Sequence, residues 1–252
     1  MRTRARIATL AGVAVLAIGA YAIADEIEGT DAGDKLTGTE QADQITGERG
    51  DDTLEGLGGD DTLDGGGDSD KVLGGAGNDK VFGADCELGE LGRVCDNIGR
   101  DVLKGGPGND DIRANACSDN PDCQAATNIS LGTRMVGGPG DDSMLGAEKR
   151  DVSSGNAGND TARGFLGRDS LMGGKGDDIV DGGAGNDRLW GHGGKDELTG
   201  GKGRDRLSAG NGRDKVHALD GKRDRVKCGK GRDTATVDKK DRVRGCEQTS
   251  RG

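Results

Sequence analysis

Residues 173–190 read GGKGDDIVD and then GGAGNDRLW, one nine-residue unit written twice: Gly-Gly-x-Gly-x-Asp-x-apolar-x. A period this short describes a stack of small units, each of which buries its apolar side chain only against its neighbours. With the Asp as position six and the apolar residue as position eight, the register runs unbroken from Gly29 to Phe82. Position six is Asp34, Asp43, Asp52, Asp61, Asp70 and Asp79, and position eight is Leu36, Ile45, Leu54, Leu63, Val72 and Val81. A shorter run pairs Asp101 with Leu103 and Asp110 with Ile112. The longest, Gly137 to His217, places Asp142, Asp151, Asp160, Asp169, Asp178, Asp187, Asp196, Asp205 and Asp214 at position six. Its position-eight residues are Met144, Ser153, Ala162, Leu171, Val180, Leu189, Leu198, Leu207 and Val216, of which Ser153 and Ala162 mark weak repeats. A degenerate echo follows at Asp224, Asp233 and Asp241.

The unit has a chemical logic. Three glycines in six residues permit a tight turn that exposes its carbonyl oxygens. The Asp adds a carboxylate at a fixed place on that turn, and hard oxygen donors of both kinds suit Ca²⁺. The x-apolar-x triplet is a short strand with one side chain pointing inward. Two repeats close one coil of a flattened right-handed helix, so alternate aspartates stack on one edge: Asp34, Asp52 and Asp70 on one, Asp43, Asp61 and Asp79 on the other. One apolar side chain per nine ordered residues is little burial against chain entropy. The strict period argues against a Gly/Asp-rich disordered tract, yet without calcium disorder is the expected state.

The unit resembles the nonapeptide of RTX, or haemolysin-type calcium-binding, proteins. Intact matches are GGAGND (74–79), GGPGND (105–110), GGPGDD (137–142), GGKGDD (173–178) and GGAGND (182–187), and the resemblance covers nearly all of the chain after residue 28. It implies an all-β parallel β-roll with Ca²⁺ as cofactor. It also implies that position-six aspartates from turns two repeats apart share each ion with backbone carbonyls, a role carried here to the seventeen aspartates from Asp34 to Asp214 named above.

The register divides the chain into repeat blocks at 29–82 and 137–217, short repeats with two inserts at 83–136, and degenerate repeats with a C-terminal cap at 218–252. One insert, 83–95, holds Cys86 and Cys95; the other, 114–127, holds Cys117 and Cys123. The remaining pair is Cys228 and Cys246. Pairing within each insert and across the last repeats is the simplest arrangement. The spacings lack the C-x-x-C of a zinc site. Residues 128–136 keep the repeat length with Thr133 in place of Asp. Toward the C-terminus, in the last repeats of the 137–217 block and in the cap, Arg204, Arg213, Arg223 and Arg232 stand at position five, where a guanidinium could neutralise the neighbouring Asp. The Asp intervals there change from nine to ten and eight residues, so the aspartate ladder is expected to be lost and calcium to be scarce.

Residues 1–24 read as a targeting segment: Arg2, Arg4 and Arg6, then an uncharged apolar stretch from Ile7 to Ile23, then Ala22-Ile23-Ala24 as a cleavage site. An uncleaved membrane anchor is the competing reading. Only Phe82, Phe165 and Trp190 are aromatic beyond residue 24, so no large globular core is available. Charge is split: residues 25–194 carry 36 acidic and 15 basic residues, while residues 195–252 carry 10 and 17. The basic part could suit a polyanion, but pairing of its Lys and Arg with neighbouring Asp is the expected arrangement, with no nucleic-acid partner.

No H-E-x-x-H or G-x-S-x-G is present, and the periodic carboxylates describe a ligand ladder rather than a catalytic pair, so no enzyme activity is expected. His192 and His217 are expected to face solvent. The sequence therefore reads as calcium binding by an exported structural or surface-associated β-roll, secreted or on the cell surface. The alternatives are an adhesin or matrix protein with a carbohydrate or protein partner at the cell surface, or a calcium-folded carrier for a partner enzyme.

Overall fold

The computed structural model describes residues 26–83, 87–89, 92–94, 100–114 and 132–252. Every regular element among them is a strand, and the repeat strands pair in parallel. The chain divides into two compact units, residues 1–135 and 136–252.

In the first unit one sheet contains Glu26–Thr30, Gln44–Glu48, Thr62–Asp64, Lys80–Phe82 and Asp111–Arg113. The other contains Lys35–Thr37, Thr53–Gly58, Lys71–Ala76 and Val102–Lys104. The chain alternates between the sheets, and each strand pairs with the one 18 residues on: Ile45 with Leu63, Leu54 with Val72. Two nine-residue repeats thus make one coil. Ile27 pairs with Ile45, so the coil begins one strand before the block expected at residue 29. At the first insert the offset grows to 31, Val72 facing Leu103 and Val81 facing Ile112. The thirteen extra residues equal in number the insert read at 83–95; within it Glu87–Gly89 and Gly92–Val94 form an antiparallel hairpin, while Gly83 N–H still donates to Arg113 O (3.0 Å) in the coil. Beyond the second insert, Arg134 N–H donates to Asp101 O (3.0 Å), the bond that Thr53 N–H makes to Asp34 O (2.9 Å) in a regular coil. Cys86, Cys95, Cys117, Cys123 and residues 1–24 lie outside the described residues.

In the second unit one sheet runs Ser143–Leu145, Thr161–Arg163, Ile179–Asp181, Glu197–Thr199, Lys215–Ala218, Thr234–Val237 and Gln248–Arg251. The facing sheet includes Val152–Ala157, Ser170–Lys175, Arg188–Gly193, Arg206–Gly212, Arg225–Gly231 and Arg242–Arg244. The offset is 18 up to Arg188 and Arg206, becomes 19 between Arg206 and Arg225, and shortens to 17 between Arg225 and Arg242. These irregularities are absorbed in the turns, and the strands stay paired to residue 251. The disulfide Cys228–Cys246 ties strand Arg225–Gly231 to the segment after Arg242–Arg244, which is the pairing read from the sequence.

The core is a column of position-eight side chains from each sheet. Ile45, Leu54, Leu63, Val72, Val81, Leu171, Leu189 and Leu198 are all fully buried. Ser153 and Ala162 occupy the same column, as does Met135, the position-eight residue of the repeat whose position six is Thr133. Position two adopts left-handed backbone at many turns whether or not it is glycine: Leu57, Phe165 and His192 have φ of 80°, 68° and 79°, whereas Thr30, Thr39 and Ala147 do not share it. The turn geometry is thus set by the stacked coil, which holds these side chains in a conformation they disfavour.

Candidate calcium centre

The position-six aspartates from Asp43 onward are buried, Asp34 being half-buried; Asp52, Asp61, Asp160, Asp178, Asp187 and Asp205 are each at most 2 % exposed. Their two carboxylate oxygens have different surroundings. Oδ1 accepts the backbone N–H of the aspartate one coil earlier: Asp160 N–H to Asp178 Oδ1 is 2.8 Å, and Asp178 N–H to Asp196 Oδ1 is 3.0 Å. The same bond joins Asp70 N–H to Asp101 Oδ1 (3.1 Å) across the first insert. One ladder of carboxylates therefore runs along each edge.

Oδ2 of Asp52, Asp61, Asp70, Asp79, Asp160, Asp169, Asp178, Asp187, Asp196 and Asp205 is buried and receives no hydrogen bond. A buried ionised oxygen without a partner is costly, and its surroundings show what is missing. A Cβ added at Gly182, position one of its repeat, would stand 2.8 Å from Asp187 Oδ2 and 2.7 Å from Gly200 O, the carbonyl one coil on. Gly56 sits in the same way against Asp61 Oδ2 and Gly74 O, and Gly155 against Asp160 Oδ2 and Gly173 O. Glycine at position one thus lets the main chain press against the carboxylate and the next coil's carbonyl, where a side chain would collide with both and push the two oxygens apart.

Burial pushes the carboxyl groups upward, opposed by the backbone hydrogen bond and reinforced by stacked neighbours. Asp70 is raised to about 8 by burial and by the charges of Asp101 and Asp52. Asp169 is likewise raised to about 8, beside Asp151 and Asp187. Asp61 and Asp178 reach about 7 for the same reasons. Among the described residues no three His, Cys, Asp or Glu side chains converge as a metal-binding group. What such a turn offers a cation is a carboxylate and main-chain oxygens.

Not every position-six Asp has this environment. Thr30 stands at position two beside Asp34, and both its N–H and its hydroxyl donate to Asp34 Oδ2, at 2.7 and 2.8 Å. Thr39 donates through N–H (2.5 Å) and hydroxyl (3.0 Å) to Asp43 Oδ2. Ala147 N–H donates to Asp151 Oδ2 at 2.8 Å. Asp101, Asp110 and Asp142 hold the register, and Asp79 N–H donates to Asp110 Oδ1 (2.9 Å), as Asp142 N–H does to Asp160 Oδ1 (2.9 Å).

At the C-terminal end the expected loss of the ladder does not occur. Asp205 N–H donates to Asp224 Oδ1 (2.8 Å), Asp214 N–H to Asp233 Oδ1 (2.9 Å) and Asp224 N–H to Asp241 Oδ1 (2.8 Å). Glu247 Oε2 then takes the last place, accepting from Asp233 N–H at 2.7 Å. The irregular intervals are taken up by turn residues such as Gly221 (φ 79°), so the aspartates keep their register. Neither do the arginines neutralise them: Oδ2 of Asp205, Asp214, Asp224 and Asp233 accepts no hydrogen bond. Position six points inward, whereas Arg204 and Arg223 at position five are exposed. What changes at this end is position one, where buried Ala209, Ala218, Cys228 and Val237 replace glycine.

Position five carries a second ladder that the sequence reading missed. Asn159 N–H donates to Asp141 Oδ1 (2.6 Å), Asp177 N–H to Asn159 Oδ1 (2.8 Å) and Lys195 N–H to Asp177 Oδ1 (2.7 Å). On the other edge Arg204 N–H donates to Asn186 Oδ1 (2.9 Å). Lys195 and Arg204 have no acceptor to offer the next coil and end each ladder. The available signal was the recurrence of Asn or Asp at position five.

A family model for the RTX calcium-binding nonapeptide repeat matches residues 28–63, 55–85, 97–120, 133–162, 145–180, 163–198 and 190–222. The chain belongs to the RTX repeat family. These matches cover more than half of the 252 residues, and repeats of this family bind Ca²⁺. No curated protein matches the chain significantly. The matched residues of this RTX protein end at 222, whereas its coil continues to residue 251.

Proposed function

We propose that this RTX protein is an exported structural or surface-associated β-roll whose turns are completed by Ca²⁺. The observation that carries this reading is the buried, unpartnered Asp Oδ2 close to a main-chain carbonyl oxygen of the next coil, both packed against a position-one glycine. The ligand set we assign is Oδ2 of Asp52, Asp61, Asp70, Asp79, Asp160, Asp169, Asp178, Asp187, Asp196 and Asp205, each with main-chain carbonyl oxygens of neighbouring turns. Asp34, Asp43 and Asp151, whose Oδ2 is already bonded, and Asp214, beside Ala209, bind more weakly. Export rests on the basic and apolar character of residues 1–24.

The role of the metal follows from the fold. Each coil buries two apolar side chains but stacks carboxylates about 4.8 Å apart, the spacing of neighbouring strands. Ionised, they repel one another and lack solvation. A cation between Oδ2 and the carbonyls removes both penalties, so binding and folding are coupled. Circular dichroism at about pH 8, where the aspartates are ionised, in EGTA and then in millimolar calcium tests this. We expect a disordered spectrum that converts to β-structure on calcium addition; a full β spectrum in EGTA contradicts it.

A further inference from the structure

The second unit carries a row of arginines along one edge. Arg188, Arg206, Arg225 and Arg242, all at position seven, are consecutive partners in one parallel sheet. Neighbouring guanidinium groups are therefore attached about one strand spacing apart, roughly 4.8 Å. Arg168, Arg204 and Arg223 at position five flank them on the same edge. Between these two rows lies a succession of clefts. One of about 370 Å³ is walled by Arg204, Arg206, Arg223, Arg225 and Arg242 over Asp205. The next, about 250 Å³, shares Arg204 and Arg206 and continues to Arg188 and Arg168 over Asp187. A third, about 140 Å³, shares Arg168 and Arg188 and lies over Asp169.

Pairing with neighbouring Asp, the arrangement expected from the sequence, is not what the structure shows. Among the described residues of 195–252, the ion pairs link only Glu197 to Lys215 and His217, on the opposite sheet. Like charges directly across a sheet are unfavourable, so this row is a positive field that no ion pair closes, set over the aspartates at the floor of the clefts. The opposite edge differs: its position-seven partners are Ile179, Glu197, Lys215 and Thr234.

We propose that this groove binds an acidic polysaccharide, laid along the coil axis with its carboxylate or sulfate groups on successive guanidinium pairs. The guanidinium fork matches such oxyanions bidentately. A linear chain with an acidic group on each sugar offers charges at a regular spacing, as the sheet offers arginines. Single-stranded nucleic acids are held by aromatic stacking platforms together with charge, and no aromatic residue lines the clefts. The site rests on the calcium-folded coil for its geometry. Calcium in the turns of Asp169, Asp187 and Asp205 also removes the negative charge beneath the groove.

The test is calorimetric titration of the full chain in millimolar calcium with size-defined polygalacturonate, heparin and oligo-dT. Circular dichroism on the same samples shows whether the coil has formed, so a failure of calcium folding is read separately from a failure of this site. The Arg206→Ala/Arg225→Ala variant should lose affinity about tenfold or more, two bidentate contacts being removed. The Arg213→Ala/Arg232→Ala variant removes equal charge from the opposite edge and should change it less than about twofold, as screened, non-contacting charges do. Tighter binding of polygalacturonate identifies uronate as the acidic group, and tighter binding of heparin identifies sulfate. The proposal is overturned if the folded protein binds neither polysaccharide, if both variants lose affinity equally, or if oligo-dT binds as tightly as the sugars.

Discussion

The turns from Gly155 to Asp205 and those from Ala209 to Asp241 share the same carboxylate ladder, yet differ at one position. In the first group position one is Gly155, Gly164, Gly173, Gly182, Gly191 and Gly200, and a Cβ at Gly173 would collide with Asp178 Oδ2. In the second it is Ala209, Ala218, Cys228 and Val237, all at most 1 % exposed. The ladder bond to Oδ1 needs only a register, and it survives offsets of 19 and 17 residues. The close approach of the main chain to Oδ2 needs a missing side chain, because a Cβ there would collide with the carboxylate. Aspartate therefore builds the edge of the coil, and we propose that glycine at position one, by leaving Oδ2 and the next coil's carbonyl undisturbed, decides whether that edge holds an ion.

The largest expected break in the comparison is at Asp178. Asp178→Ala removes Oδ2 from its turn and leaves Asp160 N–H without its acceptor; an orphaned buried donor costs about 1–3 kcal/mol even before calcium is lost. Calcium titration of this variant should show at least one ion fewer and a later folding midpoint. Asp233→Ala, in the region without a position-one glycine, should leave the ion count unchanged; equal losses in the two variants would erase the distinction.

The glycine rule itself is sharpened by exchanging its two states. Gly173→Ala should lower the calcium stoichiometry by about one, because the new methyl group collides with the Asp178 carboxylate and displaces a ligand of an ion that needs several oxygens. Ala209→Gly should open a site at Asp214 and raise the stoichiometry. Isothermal titration reads both, and an unchanged count in both variants would show that position one is irrelevant.

Protons sharpen it further. Burial raises Asp70 and Asp169 to about 8 and Asp52 and Asp205 to about 7 in the metal-free coil. The folded state then holds protons that an unfolded chain, with Asp near 3.9, releases. Stability of the metal-free coil is thus fully present below about pH 4 and is lost as pH rises through about 7–8, the shifted range. Thermal melts in EGTA should show the midpoint falling between these limits. In calcium the trend should reverse, because the ion competes with the same protons.

The smallest effect concerns position two. Leu57, 44 % exposed, holds a left-handed backbone with φ 80°. Leu57→Gly should stabilise the calcium-bound coil by about 1 kcal/mol through relief of strain, visible as a raised melting temperature. Destabilisation would mean that the side chain contributes more than its conformation costs.

Much of this was legible because a period of nine fixes which residues stack. The apolar column from Ile45 to Val216 and the aspartate edges followed from counting. Other features depend on the closed coil of 18 residues, which no single repeat contains. Asn159 is only a polar turn residue until Asp177 N–H arrives from the next coil. Glu247 lies outside any recognisable repeat, yet a longer side chain and a short turn bring its carboxylate to Asp233 N–H. The arginines of residues 195–252 were misplaced for a related reason. Adjacent Arg and Asp in sequence look paired, but positions five and six point to opposite sides of the turn.

A crystal structure grown in calcium, with ions located by anomalous scattering, tests the central claim most directly. Ions should lie between Asp Oδ2 and the position-one glycine carbonyls through Asp205, with none beside Asp224, Asp233 or Asp241. Ions of full occupancy at those three aspartates, or vacant turns at Asp178 and Asp187, would contradict it.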